Sequence, residues 1–255
     1  MASLRPYLAL AATLIVIAVN AAANTLRING YATGELSDMN PTGFTPAGWV
    51  FAIWSLIYAG LLAYSLAFIF GSPQVKARAQ SVLVPYVVSA GANVGWLFAW
   101  HYRQLNLSLL LMLVILGSLI AIYRQLWRQA PPTPAQRLLV HAPFSLYIGW
   151  ITTATLANLG AAFFAEQFYP AGLVMDQWAL VTVVAAVAIY VGMGVLTRDI
   201  VYCAVFIWAS LGIALKPVGI SDPVKLAASA GTAVVCLTVL WIVAMWAARR
   251  MAAAK

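Results

Sequence analysis

Charged residues are scarce in this sequence. Only 8% of its 255 residues are Asp, Glu, Lys or Arg, whereas roughly a quarter of the residues in an average soluble domain are charged. Hydrophobic residues make up 64% of the chain, and the mean hydropathy is +0.92. This balance excludes an ordinary soluble domain and predicts an all-α, polytopic bundle of membrane helices.

The residues that usually carry out chemistry are also few. The sequence has two Cys and two His, and none of them stands at metal-ligand spacing. It has no Gly-rich phosphate loop, no H-E-x-x-H helix and no G-x-S-x-G motif. We therefore expect no catalytic residue, no metal ligand and no enzymatic activity.

Long apolar runs dominate what is present. A helix needs about 20 apolar residues to cross the hydrocarbon core of a bilayer, and eight segments approach this length. The seventh is short, and only Thr197-Arg198-Asp199 separates it from the sixth, so seven spans are an alternative. The predicted spans are 7–23, 47–70, 81–100, 107–127, 138–163, 177–196, 200–215 and 226–247.

No Asp, Glu, Lys or Arg occupies the middle of a predicted span. Ion-coupled carriers and proton relays usually place ionisable groups there, so their absence argues against those classes. Instead, the basic residues lie at span ends. That placement indicates membrane topology rather than a nucleic-acid surface, and no nucleic-acid partner is predicted.

The distribution of basic residues predicts the orientation. With eight spans, ten Lys and Arg residues share one side with both termini, and four lie on the other side. The side richer in Lys and Arg normally faces the cytoplasm. We expect both termini in the cytoplasm of a bacterial inner membrane.

Aromatic and amide residues recur at helical spacing in the second, third and fifth spans. Each set occupies one helix face, and an indole or amide buried in hydrocarbon needs a partner. The faces are therefore expected to meet around one cavity. The sets are Trp49/Phe51/Trp54/Tyr58, Asn93/Trp96/Trp100 and Tyr147/Trp150/Ala154/Asn158.

The first loop, residues 24–46, is long and rich in turn residues. Loops longer than about 15 residues are usually functional or disordered. A lid over the aromatic helix ends and an ordinary exposed connector are both consistent with this sequence.

These motifs resemble the TspO/MBR family of tryptophan-rich sensory proteins, which includes the mitochondrial translocator protein. The second span has the W-x-x-x-Y of Trp54 and Tyr58, and the third has the N-x-x-W of Asn93 and Trp96. The fifth follows Y-x-x-W-x-x-x-A-T-x-x-N from Tyr147 to Asn158. The loop departs from the family pattern, because Phe44 stands where Trp is usual.

The resemblance implies a five-helix core over residues 1–165, followed by an extension of about three spans over residues 166–255. Family members bind porphyrins, sterols and aromatic compounds, so a bound porphyrin or haem is implied, with a role in sensing or transport. The pocket mouth would comprise Phe44, Pro46 and Trp49. The lining would comprise Trp54, Tyr58, Asn93, Trp96, Tyr147, Trp150, Ala154 and Asn158.

Other interpretations remain open. The aromatic and amide residues also suit interface anchoring and interhelical packing. A permease for an amphipathic metabolite and a structural subunit of a membrane assembly are alternative functions. Gly91 and Gly95 form a GxxxG sequence that would suit either a homodimer or an internal contact.

Overall fold

A computed structural model describes residues 4–40, 42–168 and 170–253, and this part of the chain is helical, without strands. The eight predicted spans are recovered as helices. A short 3₁₀ helix, Gly48–Ala52, precedes the long helix that begins at Ile53, and other 3₁₀ turns occur in the loops. A π-helical segment, Arg137–His141, joins the short helix Pro134–Gln136 to the long helix Ala142–Ala165. The α-helices are α1 Arg5–Thr25, α2 Thr33–Asp38, α3 Ile53–Phe70, α4 Pro73–Ser81, α5 Leu83–His101, α6 Leu105–Trp127, α7 Pro134–Gln136, α8 Ala142–Ala165, α9 Met175–Thr197, α10 Ile200–Ala214 and α11 Asp222–Ala253.

Helices α1, α3, α8, α6 and α5 pack side by side in that order, and α5 returns to α1, so they form a closed ring. Buried hydroxyl groups hold part of the ring together. Thr13 of α1 is within hydrogen-bond distance of Ser65 on α3 and Tyr86 on α5. Because hydrocarbon offers no alternative partner, these polar side chains specify how the three helices pack.

Helices α9, α10 and α11 pack on one another and dock against the ring through α8. Glycine permits a close approach of α8 to α10, since a Cβ on Gly149 of α8 would lie 2.9 Å from the Val205 side chain of α10. Tyr190 of α9 adds a hydrogen bond to Thr153, and Tyr202 of α10 adds one to Thr152. The extension is therefore joined to the core by both packing and polar contacts.

Within the described residues, seven helices are long and apolar enough to cross a membrane, and α10 is too short for that set. Its 15 residues rise only roughly 22 Å. Even so, Asp199 at its start bonds to Tyr123 and Ser145, near the end of the ring away from the first loop. Lys216, just beyond its end, bonds to Asp38 of the first loop. The chain therefore passes from one end of the bundle to the other along α10, as the eight-span prediction requires.

The first loop folds back over the ring. His101, fully buried at the end of α5, contacts the Ile28 carbonyl at 2.9 Å and the Thr33 hydroxyl at 3.0 Å. The indole of Trp100 donates to the Thr33 carbonyl. We call the end of the ring covered by this loop the loop end.

Gly91 and Gly95 of α5 have different surroundings. A Cβ at Gly91 would meet open space, whereas one at Gly95 would lie 3.4 Å from Leu111 of α6. One glycine therefore serves an internal helix contact. A homodimer through this pair stays a prediction.

Candidate functional site

An aromatic cavity opens at the loop end of the ring. The open space within its walls amounts to about 40 Å³, and to about 480 Å³ when the gaps between side chains and the open mouth are included. Helices α3, α5, α6 and α8 form the walls, and the first loop contributes the cover. The described residues that line it are Thr33, Ser37, Pro46, Phe51, Trp54, Trp96, Trp100, Met112, Trp150, Thr153, Ala154, Ala157 and Asn158.

Three tryptophans from three helices meet in this cavity. The ring centroid of Trp54 lies 6.2 Å from that of Trp96 and 6.1 Å from that of Trp150. Phe51 lies edge-on to Trp150 at 5.8 Å. Edge-on and tilted contacts at these distances are favourable for aromatic rings, so the walls are held in place by their own packing.

Two indole groups in the walls have no polar partner. Nε1 of Trp96 and Nε1 of Trp150 are buried and make no hydrogen bond. A buried N–H without an acceptor costs roughly 1–3 kcal/mol. Both donors belong to side chains that line the same cavity, so one ligand with suitable acceptors could satisfy them.

The Asn158 side chain is held at the cavity by Ser108 of α6. Its Nδ2 donates to the Ser108 hydroxyl at 2.9 Å, and the hydroxyl also lies 3.2 Å from its Oδ1. This pairing fixes the amide while leaving part of its hydrogen-bonding capacity free.

Asn93, Tyr147 and Tyr58 lie outside the cavity lining, one helical turn farther from the loop. Asn93 accepts a hydrogen bond from Asn20 of α1 and donates to the Tyr147 hydroxyl, at 3.0 and 3.1 Å. Tyr58 stacks on Trp54 at 5.5 Å, and its buried hydroxyl has no partner. These residues form the floor beneath the cavity.

The three residues expected at the mouth occupy different places. Pro46 lines the cavity. Phe44 instead lines a second apolar cavity between the loop, α8 and α9, beside Trp178. Trp49 is 45% exposed and packs edge-on against Trp208 of α10 at 4.7 Å.

Several cavity residues were not among the sequence-based candidates. Phe51 and Trp100 belong to the aromatic sets described above, so their spacing was a usable signal. Ala157 follows Ala154 by three residues on α8, which places it on the same face. Met112, Thr33 and Ser37 carried no comparable signal, since their positions depend on how α6 and the loop pack.

The loop carries two ion pairs close to the mouth. Arg27 pairs with Glu35, and Lys216 lies 2.6 Å from Asp38. A hydrogen bond from the Ala32 N–H, together with the positive charge of Arg27, lowers the pKa of Glu35. The Glu35 carboxylate therefore neutralises the charge of Arg27 at neutral pH.

Replacing Asn93 with Leu should destabilise the protein without acting directly on the cavity. The change leaves Asn20 without its acceptor and Tyr147 without its donor, at a cost of about 1–3 kcal/mol. Thermal unfolding in detergent would measure the loss. Asn106→Leu is the matched control, because Asn106 is exposed and bonds only to Glu166 among the described hydrogen bonds.

An unchanged unfolding temperature for Asn93→Leu, combined with lost ligand binding, would contradict this assignment. It would make Asn93 a ligand-binding residue rather than part of the floor.

The fold and the cavity define a class: an integral membrane protein built as a helical bundle around an aromatic cavity. The sequence profile of the family described as TSPO-like protein matches residues 6–241. The chain therefore belongs to the TSPO-like family, and the match includes the helices that follow residue 165. No curated protein and no solved structure matches the chain.

Proposed function

We propose that this protein binds a flat hydrophobic ligand in the aromatic cavity and acts in sensing or transport. The observation that carries the proposal is the pair of buried indole N–H groups without a partner, on Trp96 and Trp150, whose side chains both line the cavity. Ligand sites typically combine apolar walls with a few fixed polar groups. The three tryptophans, Asn158 and these two donors match that description.

A non-enzymatic role is part of this proposal, and the chemistry of the walls supports it. Among the described residues, those lining the cavity include no Asp, Glu, His, Lys or Cys. General acid–base catalysis relies on such groups. No group of three His, Cys, Asp or Glu side chains that could hold a metal occurs among the described residues.

The proposed orientation places both termini in the cytoplasm of a bacterial inner membrane, as the basic residues predict. The loop end then faces outward, and ligand would enter beneath the first loop. The family resemblance implies a tetrapyrrole or a sterol, and an isoprenoid would also suit aromatic walls of this kind. The small open volume of the cavity favours a slim ligand, or one that occupies the cavity only in part.

The proposal can be tested on the ligand that the protein acquires in its own membrane. Protein purified in mild detergent should carry a hydrophobic molecule, which absorbance and mass spectrometry would identify. An Ala154→Trp variant, which places an indole in the cavity, should lose that molecule while keeping its elution volume. Equal amounts of the molecule on the unchanged protein and on Ala154→Trp would contradict the assignment of the ligand to this cavity.

Transport can be separated from sensing with the same molecule. A permease should accelerate its movement into sealed vesicles, and Ala154→Trp should abolish the acceleration. Binding without flux would assign the protein to sensing.

A further inference from the structure

We infer that the cavity selects a neutral ligand bearing a hydrogen-bond acceptor, such as a carbonyl, and rejects ligands carrying a carboxylate. This inference rests on the proposed function and names the ligand class for the same site. It draws on the charges inside the cavity, the direction of its free hydrogen bonds and the ion pairs at its mouth.

The free hydrogen-bonding groups of the walls favour an acceptor. An indole N–H can donate but cannot accept, and both Trp96 and Trp150 have an unused donor. A ligand that presents a carbonyl or ether oxygen satisfies a donor that is otherwise unpaired. A pure hydrocarbon leaves both donors unsatisfied.

The same walls provide no countercharge. The described lining residues are all uncharged, and an ionised carboxylate moved out of water without a cationic partner carries a large desolvation cost. Two neutral N–H donors offset only part of that cost. An anionic ligand would have to keep its charge at the mouth.

The cations identified at the mouth are already paired. Asp38 follows Ser37, and the Lys216 ammonium bonds to Asp38 at 2.6 Å and to the Thr45 carbonyl at 3.3 Å. Ser37 and Pro46, the neighbours of Asp38 and Thr45, both line the cavity. A ligand carboxylate near Lys216 would therefore meet the negative charge of Asp38 as well.

Arg27 offers an anionic ligand no better partner. Its guanidinium pairs with Glu35, and both side chains are about half exposed, at 53% and 47%. Arg27 of the loop and Lys216 beyond α10 are thus matched one to one with carboxylates.

Three flat probes of nearly equal size test the inference: pyrene, methyl pyrene-1-carboxylate and pyrene-1-carboxylate. Binding is measured by probe fluorescence with the protein in nanodiscs. The signal of Ala154→Trp nanodiscs is subtracted, so that partition into lipid does not count. Pyrene reports entry into the apolar cavity, the ester adds an acceptor, and the acid adds a charge.

The ester should bind most tightly, and the carboxylate should bind at least about 100-fold more weakly because its charge is desolvated without a partner. A carboxylate that binds as tightly as the ester would overturn the inference while leaving the proposed site intact. If none of the three probes binds specifically, the proposed function itself fails for flat ligands of this size.

An Asp38→Asn variant tests the role of the mouth. Removing the carboxylate leaves Lys216 available, so the affinity for pyrene-1-carboxylate should rise about threefold, as expected for one partly exposed ion pair, while that for the ester stays unchanged. Equal gains for both probes, or no gain for the acid, would contradict the assignment of anion rejection to this ion pair.

Discussion

A variant carrying both Trp96→Phe and Trp150→Phe should bind methyl pyrene-1-carboxylate about 30-fold more weakly than the unchanged protein. Phenylalanine keeps an aromatic wall but removes the indole N–H. Two hydrogen bonds worth about 1 kcal/mol each account for this factor. The measurement is the nanodisc titration, with probe fluorescence as the signal.

Pyrene provides the internal reference for this variant. It has no acceptor, so loss of the N–H groups should leave its affinity nearly unchanged, and the ratio of ester to pyrene affinity separates hydrogen bonding from cavity shape. Trp178→Phe is the matched control, because the Trp178 indole donates to the Pro170 carbonyl beside the second cavity. Loss of ester binding in Trp178→Phe, with none in the double variant, would place the ligand elsewhere.

Gly212→Ala should lower the unfolding temperature by roughly 5–10 °C, which corresponds to about 2–3 kcal/mol for a chain of this size. A Cβ at Gly212 would lie 2.0 Å from Cγ2 of Val50 and 3.3 Å from Cβ of Pro46. Val50 is fully buried, and its branched side chain has little freedom to move. Either α10 or the short helix Gly48–Ala52 must therefore shift.

The contacts around Gly212 show what such a shift would disturb. Its carbonyl accepts a hydrogen bond from the Ala47 N–H at 3.0 Å, and the Trp208 indole donates to the Val50 carbonyl at 2.9 Å. Since Pro46 also lines the cavity, we expect faster ligand dissociation in the variant.

Gly192→Ala in α9 is the matched control for Gly212→Ala, because a Cβ at Gly192 would meet nothing within 4 Å. Alanine is the better helix former by about 1 kcal/mol, so this control should be as stable as the unchanged protein or more so. Equal unfolding temperatures for the two variants would contradict the close packing of α10 against the loop.

The long apolar helices were predictable because hydrophobic length and span-end charges act locally along the chain, whereas the short helices α2, α4 and α7 were not predicted. The short helix α10 was also predicted from its apolar residues, with seven spans kept as an alternative because only Thr197-Arg198-Asp199 separates it from α9. Among the candidate site residues, Trp54, Trp96, Trp150, Ala154 and Asn158 lie around the cavity, because helical spacing identifies a shared face.

The depth of a residue in the bundle and its hydrogen-bond partners were not predictable from helical spacing. Spacing places Asn93 and Tyr147 on the same faces as Trp96 and Trp150, but it does not reveal that Asn20 of α1 reaches Asn93. That hydrogen bond depends on how two distant helices pack. It explains why Asn93 lies in the floor rather than in the cavity wall.

The helices of the extension contact residues that were expected at the cavity mouth. Trp49 packs against Trp208 of α10, and Phe44 lies by the second cavity, which α9 helps to form. A Cβ at Gly43 would lie 2.7 Å from Ala179 of α9, so this part of the loop packs tightly against the added helices. The sequence motifs cover only the five-helix core, so they could not predict contacts with the added helices.

The most direct test is an experimental structure of the protein with methyl pyrene-1-carboxylate bound. Our account predicts the aromatic ring among Trp54, Trp96 and Trp150, with ester oxygens about 3 Å from Nε1 of both Trp96 and Trp150. Density for the ester beside Phe44 and Trp178, with the aromatic cavity empty, would contradict it.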